Sequence, residues 1–461
     1  MGKSKKEKAY KKRKQNTSSD TQYRDSTGAK LVEAKSMVDY LAAMPGFLMC
    51  LVIALILILD VSMPDMLNKQ YQEFQSLFKV INAAVAVFGA LFIIYKIYKH
   101  SWDRKKQSVS IYQLFLHPYT SFAIFILCML ISTCVNGFTQ EAMHGLPYRD
   151  IGVVLTIEFV IIYMGVTGMQ SRNTFNHSIL LTFLFISACT SLAAIYDRYV
   201  DKIPAFQGKK ELSTIFFNGN HYGYFLAMAI LIGVGYYLHS TNWQVYAGAI
   251  IAALDMFVLA LNHSLGSILA VAFVMIIASA VLLRESGKYK KRLMLMWLAI
   301  LIMSISAAAL SPDIRREFSI FAGDMLKILN NRADGSVGHN RLKVWRLTAQ
   351  YILARPLTGY GCEGISYQLY SALGISNPHN EILTYAAYYG IPSAVFYAGG
   401  VLGVVAGNIR RPVYTEAGRI ACMAAAGYFI ASITGVAMFY TTPFFFIFMG
   451  VTMSGRKARE D

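Results

Sequence analysis

Charged residues are scarce in this chain, and their scarcity excludes an ordinary soluble protein. Asp, Glu, Lys and Arg make up 15% of the 461 residues, and 55% of the residues are hydrophobic. Soluble domains carry about 25% charged residues. Apolar runs of about 20 residues, the length of a membrane-spanning helix, recur along the sequence. The sequence therefore predicts an all-α polytopic membrane protein.

Other common signals are also missing. The six cysteines show neither paired spacing nor the spacing of metal ligands, which argues against a disulfide framework and a zinc site. No short apolar core with a small-residue cleavage site follows the N-terminus closely, so we expect no cleavable signal peptide. No convincing internal repeat is visible, whereas transporters tend to show repeat symmetry.

The net charge of +17 is concentrated near the N-terminus, where the chain begins MGKSKKEKAYKKRKQ. Such a run could bind nucleic acid or anionic lipid. We interpret residues 1–40 as a disordered cytoplasmic tail that sets the membrane topology, with no nucleic-acid partner. Residues 41–461 form the predicted transmembrane domain.

Hydropathy predicts about twelve spanning helices. They are 44–62, 77–98, 116–135, 151–168, 179–196, 222–238, 245–261, 265–283, 293–310, 382–405, 421–439 and 443–454. Alternate threading puts the basic loops, such as RESGKYKKR and NIRRP, on the side of the tail. The positive-inside rule then places both termini in the cytoplasm and the long loop 311–378 outside.

The long loop contains an amphipathic helix by its pattern. RLKVWRLTAQYILARP repeats apolar residues at helical spacing, and Pro356 ends the pattern. The glycines of PLTGYGCEG allow a tight turn after it. We expect this helix to lie along the outer membrane surface.

Two groups of polar residues stand out around this loop. His379, Asn380 and Glu381 precede the tenth predicted span, where Asn380 suits a helix cap and Glu381 suits the first turn. A neutral imidazole at His379 can accept a proton from a hydroxyl, although an interfacial histidine can also be merely structural. Arg341 begins the loop helix and could bind phosphate oxygens or reach to lipid headgroups.

The residues around these groups resemble a known family. NRLKVWRLTAQYILARPLTGYG followed by NPHNEILTYAAYYGIPSAVF resembles the signature of the O-antigen ligase and O-antigen polymerase superfamily. That signature has an arginine and a tryptophan four apart, a proline–Gly–x–Gly turn, and a His-Asn pair that opens a helix. The matching residues are Arg341, Trp345, Pro356, Gly359, Gly361, His379 and Asn380.

A weaker similarity lies upstream. Asn218, Gly219 and Asn220 stand where the family has Asn-Pro-Asn before a span, but the arginine that usually precedes it is replaced by Lys209, Lys210 and Glu211. Leu265 likewise stands where relatives often carry an arginine. Lys210 or Arg198 would have to supply a second phosphate-binding cation.

The resemblance implies a fold like that of the C-type glycosyltransferases and transfer of glycan from an undecaprenyl-pyrophosphate carrier at the outer face of the cell membrane. It implies an inverting reaction without a metal or cofactor, in which Arg341 and His379 are catalytic. The expected substrate-binding residues are Arg346, Trp345, Asn380, Glu381, Asn218, Asn220 and Lys210. The acceptor would be a glycan or a lipid, with membrane lipids as further partners.

Three alternatives remain open beside a polysaccharide polymerase. One is an O-antigen ligase, and another is an enzyme that transfers glycan to protein. The third is a transporter of carrier-linked glycan, for which the intramembrane carboxyls of Glu158 and Asp255 would be the natural candidates. A central cavity shared by these two carboxyls would favour transport.

Overall fold

The protein is a bundle of α-helices in a computed structural model that describes residues 79–84, 86–87, 90–91, 118–147, 149–168, 173–203, 212–216, 218–310, 312–410 and 415–454. The predicted tail and the first predicted span lie outside the described residues, as does most of the second. The helices are α1 Pro118–Asn136, α2 Gln140–His144, α3 Val153–Gly168, α4 Asn173–Tyr199, α5 Gly219–His239, α6 Gln244–Asn262, α7 Leu265–Glu285, α8 Lys290–Leu310, α9 Pro312–Leu329, α10 Arg341–Ala354, α11 Ser366–Leu373, α12 Glu381–Tyr389, α13 Ile391–Arg410, α14 Glu416–Ser432 and α15 Thr442–Ser454.

Six helices of the described part are long and apolar enough to cross a membrane. They are Pro118–Asn136, Asn176–Tyr199, Gly219–His239, Gln244–Asn262, Leu265–Glu285 and Ile391–Asn408. Two shorter apolar helices, Val153–Thr167 and Thr442–Ser454, accompany them. The all-α membrane class is confirmed, whereas the count of twelve spans and the outward position of the loop stay predictions.

The core of the bundle is formed by α5 and α15, whose side chains are almost all buried. Helix α5 packs against α4, α6, α7 and α14, and α15 packs against α3 and α14. Aromatic rings fill the junction between these helices. The ring centroid of Phe183 lies 4.5 Å from that of Phe225 and 4.9 Å from that of Phe444. Dense ring packing therefore holds α5 rigidly, so that the residues at its two ends have fixed positions.

The peripheral helices expose apolar side chains. Leu127 on α1, Phe273 on α7, and Leu301 and Ile305 on α8 are each more than half exposed. Extended apolar surface of this kind marks contact with a membrane or another protein. Its position on helices of spanning length indicates the hydrocarbon region of a bilayer.

The tenth predicted span is not one helix. Residues 382–405 were expected to form a continuous helix, but α12 ends at Tyr389 and α13 begins at Ile391. Gly390 between them has φ 90°, and a Cβ there would lie 2.1 Å from the carbonyl oxygen of Leu357. Only glycine allows both this backbone conformation and this close approach. The prediction of a single helix is therefore wrong.

The segment 356–361 causes the break by binding the end of α12. The N–H of Tyr360 donates to the carbonyl of Ala387 at 3.0 Å, and the N–H of Gly361 donates to the carbonyl of Tyr388 at 2.8 Å. Non-helical backbone at membrane depth is stable only when other parts of the protein satisfy its polar groups. The proline–Gly–x–Gly turn of the family signature thus caps α12, which explains why it accompanies the His-Asn pair.

The boundaries of two other helices, α10 and α14, can be compared with those predicted from the sequence. Helix α10 begins at Arg341 and ends before Pro356, as predicted. The eleventh predicted span, 421–439, is instead helical over Glu416–Ser432, and turns follow up to the start of α15. Of the apolar residues after Ser432 in this predicted span, Met438 and Phe439 are buried and the others are half-buried, so hydropathy alone could not separate this segment from the helix.

Candidate functional site

Helix α10 presents Arg341 and Trp345 on one face, because residues four apart lie one above the other on a helix. The same face buries Val344 and Thr348 against the rest of the protein. The indole Nε1–H of Trp345 donates to the carbonyl of Pro378 at 3.0 Å. This bond joins α10 to the turn that carries His379, so Arg341 lies beside that turn.

The turn itself has a defined backbone. His379 has φ 51°, and its N–H donates to Oδ1 of Asn377 at 2.9 Å. Asn380 then caps α12, because its Oδ1 accepts the N–H of Leu383 at 2.9 Å. Such a cap contributes about 0.5–2 kcal/mol to helix stability. The imidazole of His379 is therefore held at the start of a helix by bonds on both sides.

Glu381 turns into the protein. Its side chain is 2% exposed, and Oε1 accepts hydrogen bonds from the hydroxyls of Tyr385 at 3.2 Å and Tyr397 at 2.9 Å. These tyrosines join α12 to α13 across the break. The contacts of Glu381 are thus those of a structural group beside the site.

Two arginines approach His379, and they differ in their partners. Arg149 is engaged, with Nη2 2.7 Å from Oε2 of Glu363 and Nη1 donating to the carbonyl of Ser376 at 3.1 Å. Arg341 is half-buried, and its guanidinium forms no hydrogen bond or ion pair with any residue in the described ranges. A half-buried guanidinium without a partner is costly, so an anion there would be stabilised.

Burial and the positive charges of Arg341 and Arg149 lower the pKa of His379 to about 4. The imidazole is therefore neutral at physiological pH. A neutral imidazole accepts a hydrogen bond or a proton, whereas the guanidinium of Arg341 only donates. The two side chains thus offer opposite chemistry next to each other.

The first turn of α5 approaches the same place. Asn218 caps α5 by accepting the N–H of Asn220 at 2.8 Å, and Oδ1 of Asn220 accepts the hydroxyl of Ser264 at 3.4 Å. His221 follows directly and lies close enough to His379 to interact with it electrostatically. The two asparagines predicted to bind substrate therefore position the start of this helix beside His379.

His221 and Arg149 are site residues that the sequence interpretation missed. Nδ1 of His221 lies 2.6 Å from the hydroxyl of Tyr440, which is 219 positions away in the chain. Arg149 belongs to a loop that the predicted threading puts on the same side as His379. The same threading puts residues 197–221, which end at His221, on that side too, so the shared side was the one signal available for both residues.

Two other predicted cations, Arg346 and Arg198, do not join the cluster. Arg346 projects from the exposed side of α10 and donates to the carbonyl of Ala333 at 3.3 Å. Arg198 is exposed at the end of α4 and contacts the ring of Tyr199. Lys210 lies outside the described residues. A role for any of them in substrate binding stays a prediction.

The two intramembrane carboxyls have separate surroundings. Asp255 is fully buried on α6 and accepts hydrogen bonds from Ser187 at 2.7 Å and Ser191 at 2.6 Å, both on α4. Glu158 is half-buried on α3, which packs against α15 and α1. The two carboxyls thus lie on helices with different main neighbours, and this observation does not favour the transporter alternative.

The described residues contain no group of three or more His, Cys, Asp or Glu side chains that could hold a metal ion. Their cysteines, Cys128, Cys134, Cys189, Cys362 and Cys422, are all free. What the cluster does offer is the guanidinium of Arg341, which has no partner among the described residues, the neutral imidazole of His379 and the imidazole of His221. Such a set suits an anionic leaving group beside a hydroxyl nucleophile.

Comparison with known families agrees with this chemistry. Residues 247–398 match the family model described as O-antigen ligase, over about a third of the chain. The matched segment includes Arg341, Trp345 and the turn of His379, so the resemblance seen in the sequence is confirmed. A search of curated proteins finds no match to the chain.

Proposed function

We propose that this membrane protein of the O-antigen ligase and polymerase superfamily transfers glycan from an undecaprenyl-pyrophosphate carrier to an acceptor hydroxyl. The reaction takes place at the extracytoplasmic face of the cell membrane, during assembly of a surface polysaccharide. We assign the protein as a polymerase, because nothing in its sequence favours lipid A core as the acceptor. A ligase and a protein glycosyltransferase are the alternatives that the product distinguishes.

The observation that carries this proposal is the guanidinium of Arg341, which has no partner among the described residues, beside the neutral imidazole of His379. Departure of the carrier from the sugar leaves a negatively charged lipid pyrophosphate. A guanidinium binds two phosphate oxygens at once and stays charged at any physiological pH. Stabilisation of charge that develops in the transition state is commonly the largest contribution to catalysis.

His379 serves the acceptor in this proposal. The acceptor oxygen attacks the anomeric carbon as the bond to the pyrophosphate oxygen breaks, and the hydroxyl proton moves to the imidazole. The lowered pKa keeps the imidazole free to receive it. Arg149 keeps the turn of His379 in place through the Ser376 carbonyl. Attack from the opposite side of the ring inverts the anomeric configuration, and the reaction draws on no metal.

The direct test is incubation of purified protein with a defined carrier-linked repeat unit, followed by mass analysis. A ladder of carrier-linked products supports a polymerase, whereas product on lipid A core or on protein supports an alternative. Arg341→Lys keeps the charge but loses the fork, so transfer should fall roughly tenfold to a hundredfold. Arg316→Lys, at an exposed position on α9, is the matched control and should transfer normally. The absence of any transferred product in the wild type would refute the proposal.

The side of the membrane that the site faces can be tested separately. A cysteine in place of Ser336 should react with an impermeant thiol reagent added to intact cells, and a cysteine in place of Ser286 should not. Both positions lie outside the apolar helices in the structure. Labelling of position 286 alone would place the site on the cytoplasmic side and overturn the assignment.

A further inference from the structure

The hydrogen bonds of His221 determine which of its ring nitrogens carries a proton. The hydroxyl of Tyr440 lies 2.9 Å from the carbonyl oxygen of Phe216, and a carbonyl can only accept. The hydroxyl proton of Tyr440 therefore points to Phe216. The Tyr440 oxygen must then accept from Nδ1–H of His221, 2.6 Å away. In the neutral ring this leaves Nε2 with a lone pair and no proton.

The surroundings of His221 keep this arrangement fixed. Tyr440 is 2% exposed, and its ring centroid lies 5.7 Å from that of His221 and of Phe216. Tyr224 packs on the other side, with its ring centroid 6.1 Å from that of His221. The imidazole is half-buried, and Nε2 forms no hydrogen bond with a residue of the described part. Nε2 is thus a hydrogen-bond acceptor for which no described residue is the donor.

The place of His221 in the cluster limits what that partner is. His221 interacts electrostatically with His379, and the hydroxyl of Tyr224 does so with Arg341 and Glu381. A lone pair repels the oxygens of a pyrophosphate, so the anion belongs to Arg341. The complement of Nε2 is a neutral O–H donor, and sugar hydroxyls are the donors that a glycan offers.

We propose that Nε2 of His221 accepts a hydrogen bond from a hydroxyl of the acceptor sugar, and that the contact of its Nδ1–H with Tyr440 fixes the tautomer that makes this possible. This proposal rests on the proposed glycan transfer and assigns the acceptor subsite within it. Arg341 binds the anionic end of the donor, and His221 orients the acceptor beside His379.

The test separates the acceptor from the donor by giving them different carriers. The donor is the repeat unit on undecaprenyl pyrophosphate, and the acceptor is the same glycan on a short alkyl chain without a pyrophosphate. His221→Phe keeps a ring of similar size against Tyr224 and Tyr440 but removes the acceptor nitrogen. We expect the KM for the acceptor to rise about tenfold, with the KM for the donor unchanged. His221→Gln places an amide oxygen near Nε2 and should recover most of the loss.

The chain offers a matched control for this substitution. His177 on α4 forms a second histidine–tyrosine pair, with Nδ1 3.0 Å from the hydroxyl of Tyr236 near the other end of α5. His177→Phe should leave both KM values unchanged. Tyr440→Phe removes the hydroxyl that orients His221, so we expect a smaller rise in the acceptor KM alone.

The outcomes distinguish failure of this inference from failure of the proposed function. No product from the wild type would overturn both. A wild type that transfers glycan together with a His221→Phe variant of normal acceptor KM would overturn the acceptor subsite alone. Equal impairment of the Phe and Gln variants, with both KM values raised, would show that His221 is structural and would also overturn it.

Discussion

Similar residues of neighbouring helices lie near the two ends of α5, but they have different partners. At the C-terminal end, Nη1 of Arg292 donates to the carbonyls of Tyr237, Leu238 and Ser240 at 2.9–3.1 Å. Arg419 there pairs with Glu285 at 3.0 Å. At the N-terminal end, Arg341 has no partner in the described part of the chain. Cations near a helix C-terminus stabilise it, whereas a cation left unsatisfied indicates a ligand.

The histidines repeat this contrast. His177 near the C-terminal end of α5 and His221 at its N-terminal end each contact a tyrosine hydroxyl. Of the two, His221 alone interacts electrostatically with another histidine, which is His379. Its neighbour Tyr224 interacts in turn with Arg341. A contact between a histidine and a tyrosine hydroxyl therefore does not by itself indicate a functional site. The proposed chemistry thus lies at the N-terminal end of α5, and the residues at the C-terminal end are expected to be structural.

The largest effect should come from His379. His379→Ala removes the group that is proposed to accept the proton of the acceptor hydroxyl, so we expect transfer to fall by roughly 10²–10⁴. Because His379 has a positive φ, His379→Asn is the companion variant, since asparagine tolerates this backbone and cannot take the proton. His339, an exposed loop histidine 3.0 Å from Glu317, provides the control. Normal transfer by His379→Ala at normal membrane levels would remove the catalytic role.

The second largest effect should appear in the pH dependence of transfer. The pKa of His379 is lowered to about 4, so the folded protein holds the imidazole neutral above that pH. Transfer that depends on the neutral ring should therefore stay level from pH 8 to about 5 and be lost as the pH falls through about 4. An unperturbed histidine, with a pKa of about 6.5, would already be mostly protonated at pH 6. The acid limb of kcat/KM measures this, and a midpoint near 6.5 would contradict the geometry.

Asn380→Ser should have a small effect. Serine caps a helix about as well as asparagine does, so the N–H of Leu383 keeps an acceptor. We expect transfer within about twofold of the wild type, whereas Asn380→Ala should lower thermal stability by about 1 kcal/mol. If Asn380→Ser instead abolishes transfer without loss of stability, Asn380 binds substrate directly.

The C-terminal end of α5 should show no effect on transfer. Arg292→Leu leaves three carbonyls without their donor, which should lower stability by about 1–3 kcal/mol. The rate per folded molecule should not change. A thermal melt and a transfer assay on the same preparation give both numbers. A lower transfer rate per folded molecule would contradict a purely structural role for Arg292 at the C-terminal end of α5.

Local sequence signals predicted only part of this site. The pattern around Arg341 and the proline at 356 located α10, because both signals act within a few residues. The break at Gly390 depends on the backbone of residues 356–361, which hydropathy cannot see. His221 owes its tautomer to Tyr440 and to the carbonyl of Phe216, more than 200 positions from Tyr440. Such long-range contacts leave no local pattern.

Binding of the carrier tests the role of Arg341 most directly, since it requires no acceptor and no chemistry. The measurement is the affinity of purified protein for undecaprenyl pyrophosphate and for undecaprenyl monophosphate, in the wild type, in Arg341→Lys and in Arg316→Lys. We expect Arg341→Lys to weaken pyrophosphate binding by roughly tenfold to a hundredfold and to reduce the preference over the monophosphate. Arg316 is exposed on α9, so Arg316→Lys should bind both lipids as the wild type does. Unchanged pyrophosphate affinity in Arg341→Lys would contradict the assignment of Arg341 to the pyrophosphate.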